Sequence, residues 1–367
     1  MTSRPAHPLK KLAFLALLLI PLDLMLGLPV VWQITRSEAW VRIGDPELHH
    51  TFRPGSSQTE RYGPIRIPIF VNSLGGKDDS CREVPRVASG PRVAIFGDSF
   101  AEGWGLPFAE TIPGILRQRL APAGVNVLGF GMTSYGPSLE ARWMKKLIRE
   151  GVRWDTALLF IDAGDSWDEM FRYRTFLDGG LKIFRNDKPL FFRLRWYEYS
   201  LTYQAVRQIR EALRPKPSPG TDFEQAVGGN PAGMAWLDQT EAHPWFQQGL
   251  EQSAAAVREM KNLARTRGFA LMLVIYPWPK MIAQGKLEND YNRFWSEFAK
   301  REGIPLMDLT PLFVEPGKSA EEIYRQNFIP GDFHWNAQGS ARITEFLLPW
   351  IQKNLPVRPE TPVKINP

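Results

Sequence analysis

The chain has 367 residues, 44% of them hydrophobic and 23% charged, a balance that excludes a disordered chain and supplies a core without covalent staples. Its one cysteine, Cys81, excludes an intrachain disulfide and a cysteine-based zinc site. The net charge is +6. No nucleic-acid motif accompanies it, so attraction to anionic lipid head groups or glycans, or simply a basic surface, accounts for it.

In chain order, Leu12 to Trp32 is an apolar run about as long as the roughly 20 residues that cross a bilayer. Arg4, Lys10 and Lys11 precede it, which keeps that end cytoplasmic and puts the rest of the chain outside. Pro21 and Asp23 interrupt it. A cleaved signal peptide is the rival reading, with Leu12 to Ile20 as its apolar region. No small-x-small cleavage site follows convincingly, so residues 1–34 are expected to be a short tail and an uncleaved transmembrane anchor. Residues 35–90 are a lead-in, rich in Gly, Pro, Ser and charge from Gly44 onward. Within it "IRIPIFVNSLGG" (Ile65 to Gly76) reads as a strand ending in a turn. His49 and His50 lack further His or Cys ligands nearby and read as a solvated loop.

An alternating pattern then begins. Strands are expected at Arg92–Phe96, Asn126–Gly129, Thr156–Ile161, Ala270–Tyr276 and Ile304–Met307. Helices are expected at Glu110–Leu120, Ser138–Glu150, Leu250–Arg267, Asp290–Glu302 and Ala337–Leu355. The strands are apolar and so covered on both faces, which means a central, mostly parallel five-stranded sheet in a three-layer α/β/α sandwich over residues 91–355. The alternation breaks over about 166–245, an insertion rich in aromatic residues and arginines. It is read as helices packing a satellite core, or as a lid, a sugar-stacking surface or an interfacial helix on a membrane. Residues 356–367 form a Pro-rich tail.

Chemistry is expected where the first strand ends. "VAIFGDSFAEGWGL" (Val93 to Leu106) leaves Ser99 at the carboxyl edge of the sheet, where open α/β sheets place their sites. A serine nucleophile needs a base and the base an orienting group. His334 in "PGDFHWNAQG" (Pro330 to Gly339) returns to the same edge, with Asp332 two residues upstream to steer the imidazole. A turn aspartate and a helix-entry histidine are the plainer alternative for these two alone.

These blocks resemble an SGNH hydrolase of the GDSL class. "FGDSF" (Phe96 to Phe100) is similar to the first block, with Ser99 as nucleophile. "LGFGMTSYG" (Leu128 to Gly136) is similar to the second, where Gly131 offers an oxyanion its backbone N–H. "FIDAGDSWDE" (Phe160 to Glu169) stands where the third belongs. "GDFHWNAQG" (Gly331 to Gly339) is similar to the last, with Asp332 and His334. The resemblance implies a flavodoxin-like sheet and an oxyanion hole at Ser99, Gly131 and position 164. The third block normally carries an asparagine whose amide completes that hole; here the position is Gly164, followed by Asp165. Either the Ser99 and Gly131 N–H groups serve alone, with weaker turnover, or a donor comes from the insertion, with Ser166 the nearest hydroxyl; the adjacent "SWDE" favours a rebuilt site.

The resemblance and the apolar N-terminus together imply a serine esterase or O-acyltransferase on the inner membrane with its catalytic domain in the periplasm. Its substrate would be an acylated glycan or small ester, with no cofactor and no metal, and with polysaccharide-biosynthesis proteins as partners. Two other readings remain open. One is a glycan-binding or assembly protein that kept the fold without the activity. The other is a lysophospholipase-like enzyme with Phe191 to Leu213 on the membrane.

Overall fold

The computed structural model describes residues 8–36, 41–62, 65–179, 195–212, 221–238 and 243–355. The chain divides into two compact units: residues 1–40 with 185–216, and residues 41–184 with 217–367.

The first unit holds helix α1 (Pro8–Arg36), which covers the expected apolar span. It packs with the helix Leu201–Ala212 from within the insertion. Asp23 joins them. Its carboxylate accepts from Thr202 N–H at 3.0 Å, Thr202 Oγ1 at 2.9 Å and the Ser200 hydroxyl, capping donors that the helix start leaves unpaired. Among the described residues no helix is long and apolar enough to cross a membrane. The side chains of Leu12–Ala16, which begin the expected span, lie outside them.

The second unit opens with five short strands: β1 (Arg42–Asp45), β2 (His49–Phe52), β3 (Ser57–Tyr62), β4 (Ile65–Val71) and β5 (Lys77–Asp78). They form two small antiparallel sheets, β1–β2 and β3–β4–β5. The lead-in is therefore more ordered than its Gly/Pro content suggests, because its apolar residues Val41, Leu48, Phe52, Ile67, Ile69 and Val71 join the main core. His49 and His50 are not in a solvated loop. They lie on β2 against Tyr135, Tyr173 and Phe176.

The main sheet follows: β6 (Arg92–Gly97), α2 (Ser99–Glu102), α3 (Ile112–Leu120), β7 (Asn126–Gly131), α4 (Pro137–Arg149) and β8 (Thr156–Ile161). After the insertion, which contributes α5 (Thr221–Val227), come α6 (Pro244–Arg267), β9 (Ala270–Ile275), α7 (Asp290–Glu302), β10 (Leu306–Asp308), α8 (Ala320–Asn327) and α9 (Ala337–Asn354). The strand order is β10-β9-β8-β6-β7, every pairing parallel. Helices pair in two sets, α3 with α9 and α4 with α6. Every residue of β6 and β8 is buried, as double-sided covering requires. The order reverses between β6 and β8, so the crevice beyond their carboxyl ends is the place for a ligand.

Gly97 makes that joint. Its φ is +154°, and a Cβ there would lie 2.6 Å from Ala101 Cβ and 2.9 Å from Phe160 Cβ. Gly97→Ala is expected to destabilise the protein by about 3 kcal/mol or more, from backbone strain and overpacking together. Urea denaturation checks this; a loss below about 1 kcal/mol would contradict it.

Candidate active site

Ser99 is the first residue of α2, directly after β6. Asp98 caps that helix, its Oδ1 accepting the Phe100 N–H at 2.9 Å. The loop between α8 and α9 brings His334 back to the same edge. His334 Nε2 lies 2.7 Å from Ser99 Oγ, and His334 Nδ1 lies 2.5 Å from Asp332 Oδ1. Asp332 Oδ1 also accepts the His334 backbone N–H at 2.8 Å, which fixes the carboxylate to the loop. Tyr324 supports that loop, donating from its hydroxyl to Ile329 O at 2.7 Å and accepting from Asp332 N–H at 3.2 Å. Burial opposes ionisation of Asp332, but the adjoining His334 outweighs it and holds the carboxyl below its ordinary value. The imidazole is clamped by rings: Phe100 at 4.8 Å and Phe333 at 4.4 Å between centroids, with Phe333 stacked on Trp278 at 4.4 Å.

Gly131 closes β7 with its bare Cα pressed on the backbone of Ala101 and Glu102 in α2. Gly164 follows β8, its N–H bonded to the Asp162 carboxylate. Ser166 is buried in the next turn, its backbone against Gly249 of α6. The structure thus joins Ser99, His334 and Asp332 in one hydrogen-bonded line.

Asp98, Asp162 and Asp165 bring carboxylate oxygens within 4.8 Å of one another, all buried. At least one oxygen of each already accepts from a protein donor. Tyr276 OH reaches Asp98 Oδ1 at 3.1 Å, Trp278 Nε1 reaches Asp162 Oδ2 at 2.9 Å, and Asp162 N–H reaches Asp165 Oδ2 at 2.9 Å. Burial first, then mutual repulsion, pushes Asp162 and Asp165 well above the ordinary carboxylate range. Burial thus favours the neutral form of Asp165, the form that does not oppose an oxyanion.

A second network was not legible in sequence. Glu102, fully buried, pairs with Arg42 Nη2 at 2.5 Å and accepts from Thr133 N–H at 2.8 Å and Thr133 Oγ1 at 2.7 Å. Beside it, buried Lys77 donates to the carbonyls of Gly103 and Leu106 at 2.9 and 2.8 Å. These contacts tie the lead-in to the helix that carries Ser99. The contacts span 60 residues for Arg42–Glu102 and 26 for Lys77–Gly103, so no local spacing announces them.

A serine, a histidine and an aspartate in this relation, at the carboxyl edge of a parallel α/β sheet, are the constellation of a serine hydrolase. The family model described as GDSL-like lipase/acylhydrolase matches residues 95–342, and the chain belongs to that family. Similar solved structures include TesA, 13% identical, covering 71% of this chain and 98% of that one with a TM-score of 0.40. A lipolytic G-D-S-L family protein from Veillonella parvula is 14% identical over 72% and 100%, with a TM-score of 0.38. Axe2, an acetylxylan esterase from Geobacillus stearothermophilus, is 12% identical over 72% and 95%, with a TM-score of 0.38. No curated protein matches the chain.

Glu102 gives the site an acid limit. Burial resists its ionisation, but Arg42, then Lys77 and Thr133, hold it at about 2 against an ordinary 4.5. A depressed carboxyl stabilises the fold above the unfolded value and loses that contribution as pH falls through the folded one. The drop corresponds to about 3 kcal/mol, present above pH 4.5 and lost towards pH 2. Glu102→Gln is expected to remove this acid dependence and to destabilise the protein at pH 7 by about 3–5 kcal/mol, because Arg42 loses its buried partner. Urea midpoints from pH 3 to 7 measure both; an unchanged profile would refute the assignment.

Proposed function

We propose that the protein is a serine esterase acting on short-chain acyl esters, with water or a glycan hydroxyl as the acceptor of the acyl group. The observation that carries this reading is the Ser99–His334–Asp332 line. In it, Ser99 Oγ attacks the ester carbonyl carbon while its proton passes to His334 Nε2. The tetrahedral intermediate collapses, the C–O bond to the alcohol breaks, and the alcohol leaves with the proton from His334. Water, or a sugar hydroxyl in transfer, then attacks the acyl-Ser99 ester and gives its proton to His334. Collapse returns that proton to Ser99. Asp332 keeps the imidazole oriented and stabilises its charged form.

Ser99 and His334 line one small recess together with Trp104 and Ser340. The acetyl-sized acyl group is the part of this reading that a chain-length comparison tests. Ser99→Ala and His334→Ala are expected to reduce turnover of p-nitrophenyl acetate by about 10³-fold or more, with circular dichroism unchanged. Wild-type p-nitrophenyl acetate is expected to be cleaved faster than the decanoate. Residual full activity in Ser99→Ala would overturn the nucleophile. A preference for decanoate would turn the reading towards a lipid substrate.

The same reading places the enzyme on a membrane with its catalytic unit outside. The basic flank and apolar run of the N-terminus support this. So do the large apolar side chains exposed on the first unit: Leu17, Leu18 and Met25 on α1, with Val206 and Ile209 on the Leu201–Ala212 helix. The Phe191–Leu213 segment invoked for a lipid-directed enzyme is described only from Arg195 to Ala212. Alkaline phosphatase fused after Pro367 is expected to be active and to sediment with membranes. A silent or soluble fusion would overturn the location. An envelope glycan as the acyl acceptor or donor follows from that address.

A further inference from the structure

Attack by Ser99 puts negative charge on the former carbonyl oxygen, and that charge needs fixed donors. Gly164, at the end of β8, has no side chain to give one. An amide from the insertion lies beside that position. A Cβ built on Gly164 would lie 3.5 Å from Asn230 Nδ2, with Asp162 Oδ1 at 3.0 Å and Trp278 Cζ2 at 3.5 Å. The Asn230 amide therefore borders the space that a side chain at 164 would enter.

Several features seat that amide. Asn230 has a φ of +45°, the left-handed region in which asparagine is among the few tolerated non-glycine residues. Its Oδ1 accepts the Gly233 N–H at 3.2 Å, and its carbonyl accepts the Met234 N–H at 3.1 Å. The bare Cα of Gly233 lies against the amide, where a Cβ would collide with Nδ2. With Oδ1 committed, the amide orientation is set and Nδ2 is the end left for a ligand. Among the described residues it donates to no acceptor. The preceding Gly229 packs on Phe333, where a Cβ would be 2.7 Å from the ring, and Phe333 is the ring against His334. Segment 229–234 is thus held between the β8 loop and the histidine loop.

We propose that Asn230 supplies the side-chain N–H of the oxyanion hole, in place of the side chain that Gly164 lacks. This rests on the acyl-enzyme reading of Ser99. The donor acts on the charge that appears in the transition state, so it governs kcat rather than KM. Asn230→Gly keeps the left-handed backbone and removes the amide. It is expected to lower kcat on p-nitrophenyl acetate by about 10²–10³-fold, with KM within threefold and an unchanged melting midpoint. Phosphonylation of Ser99 by a fluorophosphonate should slow in parallel. Asn230→Asp keeps the shape and removes the donor, and should fall as far. Gly164→Asn alone should reduce activity by crowding the Asn230 amide, whereas in the Asn230→Gly background it should restore at least tenfold. Kcat within threefold of wild type in Asn230→Gly or Asn230→Asp would overturn the proposal, as would a loss that Gly164→Asn fails to recover. Wild-type protein whose Ser99 takes no fluorophosphonate label would overturn the acyl-enzyme reading itself, and the two failures are thereby told apart.

Discussion

The close approach of β6, α2 and β8 at Gly97 is the constraint on which the site depends. A strand can pass into a helix within one residue only if nothing projects into the gap. There Ala101 and Phe160 leave no room for a methyl group. With Gly97 bare, Asp98 caps the helix and Ser99 becomes its first residue, facing the crevice where the strand order reverses. The hydrogen-bonded line needs nothing further from α2, because His334 and Asp332 arrive on a separate loop, far along the chain, between α8 and α9. That loop is held by Tyr324 and by the bridge between Phe328 and Trp335. Two independently fixed pieces of backbone thus meet across one hydrogen bond, Ser99 to His334.

Charge is divided around α2 by the partners each carboxyl finds. Glu102 and the Asp98–Asp162–Asp165 group are comparably buried, and desolvation pushes all of them towards the neutral form. Glu102 meets Arg42 and Lys77, and attraction wins. The three aspartates meet mainly one another, with Glu140 behind them, and desolvation wins. The outcome suits acyl chemistry. The carboxyls nearest position 164 are pushed towards the neutral form, which does not repel an oxyanion. The ionised one, Asp332, lies behind the imidazole, where positive charge develops.

Ser99, Asp332 and His334 were legible because each sits in a short block of recognisable composition and because helix–strand alternation says which sheet edge each block reaches. The five strands of the main sheet were legible for the same reason, with ends shifted by only a few residues. In the lead-in only the strand and turn of Ile65–Gly76 were legible. Its Gly and Pro content signals turns, and turns between short antiparallel strands look locally the same as a linker. Arg42 and Lys77 gave no signal, since a lone basic residue in such a stretch is ordinarily solvated. His49 and His50 show the same failure in reverse, since packing against distant rings cannot be seen from a polar doublet.

Asn230 had a signal that went unused. "GGNPAG" (Gly228 to Gly233) places an asparagine among glycines and before a proline, and the residue before proline is biased away from the right-handed helical region. Asparagine in that setting is a candidate for left-handed backbone. Composition alone cannot say that its amide points at another loop. Ser166 drew attention by adjacency in sequence, but it lies in the turn that packs on Gly249. Proximity along the chain is a poor guide at a sheet edge, where each loop continues in its own direction. A donor carried on its own loop also differs physically from one carried on β8. Its position is set by Gly233 on one side and by Phe333 on the other, and Phe333 rests on His334. Any displacement of the histidine loop is therefore felt at the amide as well, so proton transfer and oxyanion binding share one mechanical support.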